Sequence, residues 1–336
     1  MNLDDFYYPL PEKLIAQEPL RRRDQARLMV VDRRGKRIRH DIFANMGRYL
    51  PARSCIVLND SKVIPARLLG RRERSGGQVE IFLLNKLADG YSYETLMRPL
   101  RRLKTHERIV FNGGRLVAQI EDIGRRIIRF NKRNLSDDLD TIGHMPLPPY
   151  IKRMDGAADR RYYQTVYARR EGSVAAPTAG LHFTSRLIKR IQKAGHKIAK
   201  VTLHINYATF KPVSEKDITK HHMHHEEYSV AKKSYAFVRS ARNDRRKIVA
   251  VGTTSCRVLE SIAGGRPLKG NTDIYIYPGY HFQMTDILVT NFHLPHSTLL
   301  MLVYAFGGMD LMARAYQEAV REKYRFYSYG DAMMIV

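Results

Sequence analysis

Hydrophobic and polar positions alternate in two different textures along the chain. Residues 67–152 read almost wholly as short strands. Gln78 to Leu84 follows Gly76-Gly77, Tyr91 to Met97 is stopped by Pro99, and Arg126 to Phe130 comes last. Between them, Ile109 to Phe111 and Leu116 to Ile120 flank Asn112-Gly113-Gly114, the signature of a hairpin. A series of short strands with no helical period predicts a small sandwich or barrel. The Pro-rich run Met145 to Pro149 cannot continue a sheet and closes the segment. The flanks, 1–66 and 153–336, mix strand and helix signals. Cys55 to Leu58, Val201 to Ile205, Lys247 to Val251 and Ile287 to Val289 read as strands. Helices fit between them. One is capped by Thr184 or Ser185, places Leu187, Ile188 and Ile191 at helical spacing, and stops at Gly195. A second spans Ser255 to Ile262 before Gly264-Gly265, and a third spans Leu311 to Val320 with Asp310 as its cap. Strands alternating with helices predict a partly parallel sheet. The expected architecture is a mixed α/β domain, 1–66 and 153–336, interrupted by an inserted all-β barrel, 67–152.

Length agrees with this division, since 336 residues fit two domains. Charge narrows the partners. The chain carries 58 Lys+Arg against 33 Asp+Glu, a net charge of +25. With 44% hydrophobic residues it can build cores, so it is not a disordered basic tail. A polyanion partner, nucleic acid first, is the natural match. The excess is spread over both segments, with local clusters at Arg21-Arg22-Arg23, Arg98 to Arg133 and Arg239 to Lys247. Two cysteines, Cys55 and Cys256, sit in apolar contexts and exclude a disulfide framework. The acidic start Met1 to Asp5 is unlike a secretory signal, and the apolar run Ser297 to Phe306 is too short to cross a bilayer. A soluble, intracellular protein without membrane attachment is expected.

Candidate chemistry gathers at strand ends. Asn59-Asp60-Ser61, Gly252-Thr253-Thr254-Ser255 and Thr290-Asn291-Phe292-His293 each follow a predicted strand. In open α/β sheets ligands bind beyond the carboxyl ends of strands, and free N–H groups opening a helix hold anions. Ser173 to Thr184 (SVAAPTAGLHFT) is a long small-residue loop without period, and His182 is its only titratable group. His221-His222-Met223-His224-His225-Glu226 is the densest histidine cluster. A metal on His221 and His225 would need them on one helix face; an acid/base or substrate-binding pair of one histidine with Glu226 is the preferred reading. No Gly-x-Gly-x-x-Gly, P-loop or Gly-x-Ser-x-Gly pattern is present, so nicotinamide, ATP and α/β-hydrolase chemistry lack support.

Motifs spread over nearly the whole chain resemble the S-adenosylmethionine:tRNA ribosyltransferase-isomerases of queuosine biosynthesis. They are Leu14 to Gln17, Asn59 to Leu68 (NDSKVIPARL), Gly76 to Leu84 (GGQVEIFLL), Leu147 to Ile151 (LPPYI) and Tyr163 to Ala168 (YQTVYA). Gly172 to Thr184, Val251 to Ser255, Tyr277 to Tyr280 (YPGY), Thr290 to Phe306 (TNFHLPHSTLLMLVYAF) and Tyr324 to Met333 (YRFYSYGDAM) complete the set. The resemblance implies an α/β domain interrupted by a β-barrel. It implies transfer and isomerisation of the ribosyl part of S-adenosylmethionine onto 7-aminomethyl-7-deazaguanine at the tRNA wobble position. The product would be epoxyqueuosine-tRNA, with adenine and methionine leaving. S-adenosylmethionine is then a consumed substrate, no cofactor or metal is required, and a cytoplasmic monomer is expected.

That reaction needs acid/base groups, polar contacts to ribose and methionine, and exclusion of water. The resemblance ranks His182, His224, Glu226 and Asp331 highest as catalytic groups, with Asp60 and Asp286 weaker. It places Asp60, Gly252, Thr253, Thr254, Asn291, Phe292, His293 and Tyr329 in substrate binding. It places Arg67, Arg98, Arg101, Arg102 and Lys104 on the RNA. Two departures stand out. Family members read close to His-Val-Gly-x-Gly-Thr-Phe where this chain has His204 to Phe210, so Asn206 and Ala208 replace glycines. An Arg-Pro-Gly likewise reads Arg98-Pro99-Leu100. A non-catalytic or altered-substrate tRNA-binding paralogue, and a metal-dependent hydrolase using the histidine cluster, are the competing readings.

Overall fold

The computed structural model describes residues 1–206 and 213–336. The chain forms two compact units. One comprises Met1–Lys62, Pro149–Arg153 and Tyr162–Val336, the other Val63–Pro148 and Met154–Arg161.

The larger unit is built on a nine-stranded mixed sheet. Its order is Lys269–Thr272, Glu226–Ser229, Lys197–Leu203, Cys55–Asn59, Ile248–Val251, Ile287–Asn291, Ala332–Ile335, Arg27–Asp32 and Arg37–Ile42. Lys197–Leu203, Cys55–Asn59, Ile248–Val251 and Ile287–Asn291 run parallel and side by side. Their carboxyl ends therefore lie together. Strand alternation splits the apolar side chains between two faces. Cys55, Val57, Ala250 and Leu288 join the core under helices Lys232–Asn243, Thr253–Ala263, Thr298–Gly307 and Met309–Arg321. Ile56, Leu58, Val249 and Val289 join a second core with Leu187 and Ile191 of helix Ser185–Lys193. A continuous apolar run such as Ile248–Val251, buried at every position, is what a strand covered on both faces requires.

Local signals set several boundaries. Thr184 is the cap of helix Ser185–Lys193, its Oγ1 accepting from the Leu187 N–H at 3.1 Å. The helix expected to start at Leu311 after an Asp310 cap starts instead at Met309, with Gly308 in the cap position at φ +85°. That backbone lets Met309–Arg321 follow Thr298–Gly307 after one residue, and Asp310 sits in the first turn, where its charge suits the helix dipole. No single helix among the described residues is long and apolar enough to cross a membrane.

The smaller unit is a closed barrel of antiparallel strands in the order Ile127–Phe130, Ser92–Arg98, Gln78–Lys86, Arg67–Arg72, Arg108–Phe111, Leu116–Asp122. The Asn112-Gly113-Gly114 turn makes the hairpin its sequence predicts, pairing Phe111 with Leu116. Asn112, Gly113 and Gly114 all take positive φ, which is why glycine and asparagine are there.

Candidate active site

Loops leaving three of the four parallel strands border a cavity of about 840 Å³, counting its open mouth. Ile205 follows one strand, Gly252-Thr253-Thr254 another, and Thr290-Asn291 with His293 a third. Asn59 ends the fourth and fixes this floor. Its Nδ2 donates to the Leu203 carbonyl at 3.0 Å and the Thr254 hydroxyl at 3.2 Å, while its Oδ1 accepts from the Leu203 N–H at 3.0 Å. Ala176 to Ala179 of the small-residue loop form another wall, and Tyr150, Tyr327 and Ser328 close the far side. Gly252 at φ +87° turns the chain from strand into helix Thr253–Ala263. The first turns of that helix and of Thr298–Gly307, capped by Ser297, border the cavity. Unpaired N–H groups there favour an anionic group such as a carboxylate.

Asn291 is the polar centre. Its Nδ2 donates to the Tyr327 carbonyl at 3.0 Å and lies 3.1 Å from His182 Nε2 and 3.3 Å from the Asp331 carbonyl. Two backbone acceptors fix which end of the amide is the nitrogen. Oδ1 is then left buried with no protein partner among the described residues. The Tyr327 hydroxyl is in the same condition. A buried polar atom without a protein partner is costly, which makes these two atoms candidates to meet a ligand's polar groups. Tyr150 packs on Tyr327 with ring centroids 4.2 Å apart, and its hydroxyl shares a 2.5 Å bond with Ser328 Oγ. An aromatic pair on the wall of a largely apolar cavity also suits a cation.

Burial governs the titratable groups. Desolvation, reinforced by the Arg23 charge, takes His182 down to about 3. Desolvation alone takes His293 down to about 3, and its Nε2 bonds the Thr290 hydroxyl at 2.7 Å. Both rings are neutral in the folded protein, against an ordinary value of 6.5 once unfolded. Between those values the unfolded chain binds protons that the folded chain refuses. Stability therefore rises with pH across this window and is complete above it. Each histidine is expected to remove about 1.4 kcal/mol per pH unit on acidification below its unfolded value. Urea midpoints measured at neutral pH and one unit below the ordinary histidine value check this; equal midpoints would exclude two buried neutral rings.

The structure does not bring the four acid/base candidates together. His182 bonds Asn291, but the other three are elsewhere or committed. Asp331 Oδ1 and Oδ2 accept from the Arg27 and Arg325 N–H groups, each at 2.8 Å. Its carboxyl thus staples two backbone segments, and burial raises its pKa. Glu226 is buried in an ion pair with Arg257 and accepts from the Asn206 N–H at 3.2 Å. His224 is exposed and does not line this cavity. Residues 221–225 form no helix but lead into strand Glu226–Ser229, so His221 and His225 are not paired on a helix face. No cluster of three or more metal-ligating side chains occurs among the described residues.

Among the binding candidates, Gly252, Thr253, Thr254, Asn291 and His293 line the cavity. Phe292 does not. As the neighbour of Asn291 it points to the other side, into the rings of Tyr316, Tyr324 and Phe326. Asp60 accepts from the Thr202 hydroxyl at 2.6 Å, outside the cavity lining. Asp286 binds Arg242, Lys247 and the Ile248 N–H at the opposite end of the sheet. Tyr329 lines a second cavity, about 290 Å³ with its mouth, together with His182; Ser328 borders both. Asn206 Nδ2 donates to the His225 carbonyl at 2.9 Å, and Ala208 lies outside the described residues. In the barrel unit Arg98, Arg101, Arg102 and Lys104 are exposed, whereas Arg67 is paired with Glu80 at 2.9 Å. Tyr150, Tyr327, Ser328 and the Ala176–Ala179 wall lie within quoted motifs, but nothing local marked their side chains as cavity-lining.

Fold and site define an α/β enzyme with an inserted antiparallel barrel and a ligand cavity at the carboxyl ends of parallel strands. A family model described as "Queuosine biosynthesis protein" matches residues 3–335. The chain belongs to this family. It is 48% identical to the S-adenosylmethionine:tRNA ribosyltransferase-isomerase of Sulfurihydrogenibium sp. (strain YO3AOP1), with 100% of both chains covered. It is 50% identical to the protein of the same name from Caldanaerobacter subterraneus subsp. tengcongensis, again over 100% of both. A solved structure, S-adenosylmethionine tRNA ribosyltransferase from Thermotoga maritima, is 38% identical, covers 99% of this chain and 100% of its own, and superposes with a TM-score of 0.57.

Proposed function

We propose that the chain is an S-adenosylmethionine:tRNA ribosyltransferase-isomerase, transferring and isomerising the ribosyl group of S-adenosylmethionine onto a tRNA base. The observation that carries this reading is convergence. The small-residue loop, the Gly252-Thr253-Thr254 turn and the Thr290-Asn291-Phe292-His293 turn, far apart in sequence, form one cavity around Asn291. S-adenosylmethionine is bound there as substrate. The free N–H groups opening helices Thr253–Ala263 and Thr298–Gly307 suit its carboxylate, and the Tyr150–Tyr327 pair suits its sulfonium. Asn291 Oδ1 accepts from a ribose hydroxyl or an adenine amine, held in that orientation by His182. The sulfonium acidifies the ribose carbon beside it; loss of that proton lets the N-glycosidic bond break and adenine leave with a proton, the amine of the acceptor base bonds a ribose carbon and gives up its own proton, and the carbon–sulfur bond breaks to release methionine. A dry cavity protects the reactive species from water. The acceptor is 7-aminomethyl-7-deazaguanine at the wobble position, and the enzyme acts as a cytoplasmic monomer without an added cofactor. Exposed Arg98, Arg101, Arg102 and Lys104 contact RNA phosphates.

The test mixes pure protein, S-adenosylmethionine, EDTA and an anticodon stem-loop carrying 7-aminomethyl-7-deazaguanine. Adenine release with a matching gain in RNA mass is expected. RNA binding without adenine release would instead support an altered-substrate paralogue.

A further inference from the structure

Four planar side chains, Arg23, Tyr162, His182 and Tyr329, line the smaller cavity among small and aliphatic residues. The Arg23 guanidinium carbon lies 5.6 Å from the Tyr162 ring centroid, and Tyr329 packs edge-on against Tyr163 at 5.9 Å. Leu20 adds an apolar wall, and His182 and Ser328 add polar atoms. Aromatic rings and guanidinium planes with a few polar edges are how proteins hold an unstacked nucleobase. Ser328 borders this cavity and the larger one, and His182 of this cavity bonds Asn291 of the larger, so the two adjoin.

The segments next to this cavity are basic for a separate reason. Arg21 and Arg22 are exposed beside Arg23. The Thr184 hydroxyl bonds Asp24 Oδ2 at 3.3 Å and so ties the start of helix Ser185–Lys193 to this loop. That helix contains no acidic residue and exposes Arg186, Lys189, Arg190 and Lys193 at i, i+3, i+4 and i+7. None of the four is ion-paired among the described residues. Like charges at these spacings weaken a helix, so a stripe of them fits a polyanion lying along it.

We propose that the smaller cavity receives the acceptor nucleobase of the RNA, with Arg21, Arg22 and the Arg186–Lys193 stripe holding the flanking phosphates. This rests on the transferase reading above and adds a place for the second substrate. It puts the base's amine across Ser328 from the ribose it attacks.

The test measures affinity for a fluorescein-labelled anticodon stem-loop carrying 7-aminomethyl-7-deazaguanine, affinity for S-adenosylmethionine by calorimetry, and adenine release. Leu20→Trp, which fills the cavity, and Tyr162→Ala, which removes a stacking face, are each expected to weaken stem-loop binding about tenfold while S-adenosylmethionine affinity stays within about twofold. Retained S-adenosylmethionine binding shows that a variant is folded. The exposed pair Arg22→Glu/Arg186→Glu is expected to weaken RNA binding and flatten its log–log salt dependence by about 0.7–0.9 per lost contact. Unchanged stem-loop affinity in folded cavity variants overturns the proposal, as does weaker S-adenosylmethionine binding instead, which would assign the cavity to the donor. Absence of adenine release by the wild type would overturn the transferase reading alone, because stem-loop affinity is read without turnover.

Discussion

Replacing Asn291 with aspartate is expected to reduce adenine release at least about a hundredfold at neutral pH, the equivalent of about 3 kcal/mol. The change removes no volume. It swaps the Nδ2 donor for an oxygen facing the Tyr327 carbonyl, the Asp331 carbonyl and His182 Nε2. Attractive contacts become repulsions inside a site where water cannot compensate. Oδ1, the atom without a protein partner, can keep its place only if the carboxyl holds still against that repulsion. His182 can relieve part of the cost by taking a proton, so residual activity should rise on mild acidification. The measurement is the pH profile of adenine release by N291D beside the wild type. Activity within about threefold of wild type would mean that the amide's orientation is not what the reaction uses.

Arg257→Met is expected to produce the largest loss of stability, about 3–5 kcal/mol. Arg257 and Glu226 are both almost fully buried, with side-chain exposures of 3% and 2%. Removing the guanidinium leaves a carboxylate in the core that still accepts from the Asn206 N–H at 3.2 Å. Such a group either stays charged at high cost or takes up a proton. Adding Glu226→Gln to Arg257→Met should recover part of the loss, since the buried charge is then gone. Guanidinium unfolding of the two single variants and the double variant reads the coupling directly. A small loss in R257M, or no recovery in the double variant, would show that the pair is not what holds strand Glu226–Ser229 against helix Thr253–Ala263. The same series bears on catalysis. If Glu226 serves Arg257, Glu226→Gln lowers stability more than it lowers adenine release by the folded fraction.

These two expectations separate what is local from what is not. Periodicity along the chain determined the alternation of strands and helices, the barrel segment and the Asn112-Gly113-Gly114 hairpin, because those depend on residues a few positions apart. The Thr184 cap is equally local, a hydroxyl reaching an N–H three residues on. Asn291 and the Gly252-Thr253-Thr254 turn were legible because strand ends in a parallel sheet face a common ligand space.

Sequence alone could not determine what each polar side chain would meet. Asp331 and Glu226 have the chemistry of acids and bases. Only folding puts Asp331 under the Arg27 and Arg325 amides and Glu226 against Arg257. Phe292 sits inside a polar motif, yet strand geometry turns it into an aromatic core opposite Asn291. Tyr150 and Tyr327 are 177 positions apart by number and stack only in the tertiary structure. The sequence by itself determined which elements form and which turns bear small polar residues, since neighbours along the chain decide both. The tertiary structure decided which of those residues face a cavity and which are used up in holding it, since burial and partners are set by contacts between distant segments.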